Sequence, residues 1–293
     1  MAQTDLHMHS SASLDEEISP RGLAERCRQN GMTLAALTDH NSVEGVAEFM
    51  WRGAQLGVRT IPGIELDCME HGHNLHILGY GLDIADQTLK QALHEIRALQ
   101  TQAGVRLMDA VEALGIRFER EQVLEQAKGG IVSAEGIAAS ALQLAENQQH
   151  PLLRPLLPGG ELSDRPLVNF YWSVCAPGKP AYQPVDFPSA GQVIDWIHAA
   201  GGIAVLAHPG ASLKNGTDVD AVLTLPLDGV EVFTRYHNAA QTAFYLEKTQ
   251  QKGLLVTGGS DFHGRIKPDL EVGDIDFSGM ESKAREMLLA ALD

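Results

Sequence analysis

The chain has only three cysteines, Cys27, Cys68 and Cys175, and no two of them form a Cys-x-x-Cys pair. That count excludes a disulfide framework and a zinc ribbon, and the three are read as buried thiols. No apolar run approaches the roughly 20 residues that a membrane-spanning helix needs, so no membrane partner is expected. The start of the chain, Met1 to His9, has neither a basic region nor an apolar signal core, and the expected location is cytoplasmic. Cations are scarce: 22 Lys and Arg stand against 38 Asp and Glu, for a formal charge of -16. Such a surface repels a polyanion, which argues against long duplex nucleic acid as a partner. Histidine is plentiful, with twelve residues, and their positions carry the argument.

The 293 residues suffice for one large domain, or for one domain with an insertion. Short β-type segments alternate with helical ones over the first eighty residues. Residues 5–8, 33–38, 59–66 and 74–80 read as strands, with helices at 20–31 and 42–56. Pro20 stands at the first helix start and Gly57 at the second helix stop. The alternation returns with strands at 202–207, 229–233 and 254–258 and helices at about 189–200, 238–252 and 280–292. Strands alternating with helices imply a parallel sheet. Between the halves, Leu89, Leu93, Ile96, Ala103, Leu107, Ala110 and Leu114 mark a long amphipathic helix, with further helical stretches near 119–128 and 133–147. Eight of the thirteen prolines then fall between Pro151 and Pro188, which rules out regular structure throughout that block. The expected organisation is an α/β barrel over 1–84 and 186–293. A mostly helical insertion with a Pro-rich return, 85–185, is expected to lie over the carboxyl edge of the barrel strands.

Six of these strands carry at their ends residue types that bind metals: His7 and His9, Asp39 and His40, Glu65, His76, His208, and Asp261 and His263. Taken singly, each is also what a hydrogen-bonded core histidine or a turn residue looks like. Taken together they are not, because the carboxyl ends of strands in an α/β barrel converge on one rim, and burying so many ionisable groups without compensation is costly. His-x-His on a strand sends both rings to one face.

The segments DLHMHS at 5–10, SLDEEISP at 13–20, LTDHNS at 37–42, PGIEL at 62–66, HILGYG at 76–81, AHPG at 207–210, GVEVF at 229–233 and GSDFHG at 259–264 resemble the PHP family, the polymerase and histidinol phosphatase metal-dependent phosphoesterases. They cover both halves of the barrel in the family's order, and APGKPAY at 176–182 looks like a loop of nucleotide-phosphatase relatives. The resemblance implies a distorted (βα)7 barrel and a metal-dependent phosphoric ester hydrolase with two to three divalent ions, Mn, Fe or Zn. Carried over residue by residue, His7, His9, Glu65 and Asp261 hold a first ion. Glu65 bridges to a second, held by His76 and His208, while Asp15, His40 and His263 hold a third. Glu16 or Glu17 is the alternative to Asp15, and Asp39 is read as orienting a liganding histidine. Glu65, Asp261 and His208 are the residues expected to carry catalysis, through a hydroxide between the first two ions that attacks phosphorus in line.

Three divalent ions against three carboxylates leave a local charge of about +3, which draws in an anion. The expected partner is therefore a small phosphorylated substrate, gripped at a second anionic group by Lys179, Arg235, His237 or Arg265. Trp172 and Tyr171 are candidates for ring stacking or for the core. Relatives acting on nucleotide 3′,5′-bisphosphates carry arginines where this chain reads IVSAEGIAASAL, 131–142. A nucleotide phosphomonoester or 3′,5′-bisphosphate thus stands level with a cyclic or sugar phosphate such as 5-phosphoribosyl 1,2-cyclic phosphate, and histidinol phosphate stands below both. An amidohydrolase is the alternative from another class, disfavoured because no lysine falls on an expected strand. The oligomeric state has no signature in the sequence.

Overall fold

The computed structural model describes residues 2–13, 18–213, 216–264, 267 and 269–293. By internal contacts the chain divides into two compact units, Met1–Leu93 with Phe187–Asp293, and His94–Asp186.

The first unit is built on a seven-stranded sheet in sequential order: β1 (Thr4–Asp5), β2 (Leu34–Leu37), β3 (Arg59–Glu70), β4 (His73–Tyr80), β5 (Ile203–Leu206), β6 (Gly229–Phe233) and β7 (Leu255–Gly258). Its helices are α1 (Pro20–Gln29), α2 (Val46–Leu56), the start of α3 (Gln87–Ala113), α7 (Ala190–Ala199), α8 (Pro209–Ser212), α9 (Gly216–Val222), α10 (Ala239–Gln251) and α11 (Glu281–Leu292). The Ser19 side chain caps α1 by accepting the Gly22 N–H, with Pro20 in the first turn, and Gly57 ends α2 at φ 71°. The edges of the sheet meet through Leu6 N–H to Gly258 O (3.3 Å), Asp261 N–H to His7 O (2.8 Å) and His9 N–H to Phe262 O (3.1 Å), so the sheet is nearly a closed barrel.

The expectation of a parallel sheet holds for six of the seven strands and fails at β4. No helix separates β3 from β4, so the chain reverses at His71 and Gly72, both at positive φ. As a result β4 pairs antiparallel with β3 and with β5. A two-residue turn permits only that direction, because a parallel return needs a crossover of a dozen or more residues. Along β2 the side chains alternate, Leu34 and Ala36 into one apolar cluster and Ala35 and Leu37 into another. Burial on both faces explains the unbroken apolar text of such strands.

The second unit holds the rest of α3, then α4 (Arg120–Gln126), α5 (Ala134–Ala141) and α6 (Pro166–Phe170), followed by one π turn at Tyr171–Cys175. Met108, Val111, Ile116, Ile137, Leu153 and Phe170 are in its own core. The helical text at 133–147 shortens to α5 and a 3-10 turn, because Leu144 turns to an extended backbone. The short helices α6, α8 and α9 were not legible in the sequence. All three cysteines are free and buried.

Candidate metal centre

The site forms where the strands of the first unit end. His7 and His9 follow β1 and point the same way, while Met8 between them turns into the apolar cluster of Cys27 and Phe262. His40 follows β2, Glu65 lies within β3, His76 within β4, His208 after β5, and Asp261 and His263 after β7. Glu65 is fully buried and is the hub. Its Oε2 lies 3.1 Å from His7 Nε2, 3.2 Å from His9 Nε2 and 3.2 Å from His40 Nδ1, and its Oε1 lies 2.8 Å from His76 Nδ1 and 3.2 Å from His208 Nε2. Asp261 Oδ1 stands 3.4, 3.1 and 3.2 Å from rings of His7, His9 and His263. Among the described residues, four groups bring one donor atom per residue within 4.8 Å of one another: His7–His9–Glu65–Asp261, Glu65–His76–His208, His9–His40–His263 and His40–Asp67–His76.

Divalent ions fit this geometry. His7 Nε2, His9 Nε2, His40 Nδ1 and Glu65 Oε2 are buried and close together, yet none has a hydrogen-bond partner. Buried polar atoms are otherwise almost always satisfied, and a cation among these four satisfies them at once.

The electrostatics of the cluster agree. Burial pushes the His7 and His76 rings down, but the carboxylates outweigh it, Glu65, Glu231 and Asp261 for His7 and Glu65 and Asp67 for His76, and hold both well above the ordinary histidine value. Burial raises Glu65 and Asp261, but the neighbouring imidazoles, led by His7, hold both well below the usual carboxylate range. Burial, with His263 and His40 beside it, lowers His9 to about 4. Protons on His7 and His76 thus balance charge that a bound cation balances instead, and metal binding expels them.

Several residues that the sequence did not single out complete the centre. Asp67, on the same face of β3 as Glu65, lies 3.0 Å from His76 Nε2 and is held by Asn41, whose Nδ2 donates to it at 2.5 Å. Glu231, the one carboxylate in the buried strand β6, meets His7 Nδ1 at 3.0 Å. The period of two from Glu65, and a glutamate amid apolar neighbours, were the available signals. The Tyr236 hydroxyl donates to Asp261 Oδ2, and its ring stands edge-on to His208 at 5.2 Å. Lys267 Nζ lies 2.5 Å from Asp261 Oδ2 and 2.6 Å from the Tyr236 oxygen. Asp39 accepts from Ser10 N–H, Ser10 Oγ and Ser13 Oγ, and Ser13 Oγ in turn lies 2.9 Å from His40 N and 3.4 Å from His9 Nδ1. Asp39 therefore reaches the histidines through a serine. Asn41, His208 and Asp261 adopt positive φ of 50°, 23° and 53°, so strain gathers at the centre.

The residues expected to grip substrate are placed less uniformly. Arg235 pairs with Asp274 and lines a cleft of about 480 Å³ with Thr242, Leu246 and Asp276, which includes none of the clustered donors. His237 is buried with both nitrogens engaged. Nδ1 faces Val232 O at 2.9 Å and Nε2 accepts the Gly210 N–H at 2.9 Å, which fixes the neutral tautomer, and burial lowers its pKa. Lys179 is exposed in the second unit, where Trp172 is 60% exposed and so is not a core residue. Asp15 and Arg265, with Glu16 and Glu17, lie outside the described residues.

With this geometry in hand, comparison with known proteins defines the class. Residues 5–149 match the family model described as the PHP domain. The 5′-3′ exoribonuclease Rnm of Escherichia coli is 31% identical over 283 residues, covering 92% of this chain and 87% of that protein. The 3′,5′-nucleoside bisphosphate phosphatase of Chromobacterium violaceum is 28% identical over 93% of this chain and 91% of its own length. A crystal structure from Bifidobacterium adolescentis, assigned as a metal-dependent phosphoesterase, superposes with a TM-score of 0.75 at 25% identity, covering 98% of this chain and 96% of that one. The chain belongs to the PHP family, and it is a metal-dependent phosphoric ester hydrolase.

Proposed function

We propose that the protein hydrolyses a small nucleotide-type phosphomonoester at a centre of two to three divalent ions, Mn, Fe or Zn. The observation that supports this reading is the buried, unpartnered set of nitrogens converging on Glu65. In it His7, His9, Glu65 and Asp261 hold one ion, Glu65, His76 and His208 a second, and His40 and His263, with Asp15, a third. Bound there, the ions supply positive charge for the phosphoryl oxygens and a water acidified towards a pKa of about 7. Glu65 and Asp261 supply the negative charge that retains the cations, with Glu65 shared between two of them. Burial and the Asp261 charge push the Tyr236 phenol up, so it stays protonated and donates a hydrogen bond. Beside it, the partly exposed Lys267 ammonium gives a fixed charge in contact with the cluster, and we assign the grip on a phosphate oxygen to this pair. Arg235, committed to Asp274, is the weaker candidate.

Two relatives named for nucleotide substrates, a nucleoside bisphosphate and RNA, support the first reading, and one named for phosphoribosyl 1,2-cyclic phosphate supports the second. The charge of -16 favours a short substrate over a long strand. A second reading, a cyclic sugar phosphate such as 5-phosphoribosyl 1,2-cyclic phosphate, is kept because α5 carries no arginine for a second nucleotide phosphate.

Phosphate release by the Mn-, Fe- or Zn-loaded protein tests both. The panel is a nucleoside 3′,5′-bisphosphate, a short 5′-phosphorylated oligoribonucleotide, the cyclic sugar phosphate and histidinol phosphate. The highest kcat/KM on a nucleotide supports the first reading and on the cyclic phosphate the second, while no release with any metal refutes both.

A further inference from the structure

Glu231 is fully buried in a strand whose neighbours Val230, Val232 and Phe233 are apolar. A carboxylate in such a place must be held by donors. Its Oε1 lies 3.0 Å from His7 Nδ1, and its Oε2 accepts the backbone N–H of His208 at 2.9 Å. The two histidines follow different strands and belong to different donor groups. An acceptor at Nδ1 fixes the His7 tautomer with its proton there. That directs the Nε2 lone pair at Glu65 and Asp261, 3.1 and 3.4 Å away. His208 sits at φ 23°, ψ 58°, a backbone that side-chain-bearing residues rarely adopt. Glu231 grips its N–H, and His237 grips the N–H of Gly210 two residues on. Gly259 makes room for the pair, since a Cβ there would stand 2.7 Å from His7 N and 2.8 Å from Glu231 Oε1.

We propose that Glu231 is a positioning residue that couples two ion sites, presenting His7 to one donor group and His208 to another. Its loss weakens both sites together and spares His9–His40–His263. The inference rests on the metal-centre reading above. Asp67 provides the contrast, because it contacts His76 of the second group and neither His7 nor His208.

The test uses full-length protein freed of metal by a chelator. Cobalt(II) is then titrated in against a chromophoric competitor while the visible absorption is followed. For Glu231→Gln the affinity of two ions falls together, by about 10–100-fold each, and the third ion binds as in wild type. Asp67→Asn lowers one. Both variants keep a metal-free Tm close to that of wild type. Unchanged affinities in Glu231→Gln, or an equal loss at every site with a collapsed metal-free Tm, overturn the proposal. Should Glu231→Gln not fold, Glu231→Asp, which keeps the charge and shortens the reach, replaces it. If neither folds, Glu231 serves the fold and the proposal falls. Wild-type protein binding fewer than two ions defeats the metal-centre reading itself, whereas normal wild-type binding with an indifferent Glu231→Gln defeats this inference alone.

Discussion

A single added methyl group at Gly259 should disturb fold and centre together. The alanine Cβ would collide with His7 Cβ and stand 2.7 Å from His7 N and 2.8 Å from Glu231 Oε1. Two of these atoms belong to His7 at or next to the backbone, and the third, the Glu231 carboxylate oxygen, is held by its hydrogen bonds. The His7 carbonyl accepts the Asp261 N–H at 2.8 Å, its N–H points at Asp5 Oδ1, and Glu231 is engaged at both oxygens. Overpacking a tight site costs about 1–3 kcal/mol, and three unyielding contacts place this case at the upper end. An unfolding entropy of about 2.1 cal/mol/K per residue gives roughly 0.6 kcal/mol/K for the chain, so about 3 kcal/mol lowers Tm by about 5 °C. Gly191→Ala is the control, because nothing lies within 4 Å of that Cβ and the residue is in helix α7. There alanine is favoured over glycine by about 0.5–1 kcal/mol, and Tm rises by about 1–2 °C. Calorimetry without metal, followed by cobalt titration, reads both effects. A Gly259→Ala protein within 1 °C of wild type and with unchanged cobalt affinity would refute the reasoning.

Glu65→Gln should cost two ions rather than one, because Glu65 belongs to two donor groups, and elemental analysis after metal loading reads the loss; a fully metallated, active variant removes Glu65 from its bridging place. Lys267→Met should raise KM for a nucleoside bisphosphate at least about tenfold, the worth of one charged contact, while Arg235→Ala shifts it less than about twofold; the reverse order returns the grip to Arg235. The three thiols should resist a thiol reagent in native protein and react on unfolding, since burial pushes Cys175 up to about 12 and Cys27 and Cys68 further; fast labelling of any one contradicts its burial. The Arg26 hydrogen bonds lower the Glu271 pKa, so the pair stabilises above the ordinary glutamate range and loses its effect as pH falls through the folded value. With both side chains about 40% exposed, Arg26→Gln should cost less than about 1 kcal/mol at pH 7 and nothing in strong acid, as urea unfolding at the two pH values would show.

What was legible in the sequence was what repeats or stands out locally. Strands such as β2, β5 and β7 were readable because buried strands are short apolar runs, whereas the strand read at 5–8 reduces to Thr4–Asp5, and the histidines and carboxylates at the strand ends were readable because the barrel's geometry makes their convergence a consequence of order. Glu231 lies in the segment GVEVF, and a strand glutamate says nothing about its partner until His7, 224 residues away, is placed. Tyr236 and Lys267 carry no spacing rule, because loops after strands are positioned by what they fold over. His237 looked like a substrate residue from its place after a strand, and only the two bonds to Val232 and Gly210 reveal that its nitrogens are taken. The direction of β4 depended on a missing helix, a negative sign that is easily read past.

The β3–β4 hairpin has a consequence for how the protein comes to be. Most pairings in the centre span large parts of the chain, but Asp67 and His76 are direct cross-strand partners, and Glu65 and His76 are eleven residues apart. Hairpins close in about 1–10 microseconds, long before a barrel can bring its first and last strands together. A nascent chain that has closed only this turn already holds two carboxylates and an imidazole side by side. The His76 ring, with Glu65 at Nδ1 and Asp67 at Nε2, is thus oriented by its own hairpin before the remaining strands assemble around it.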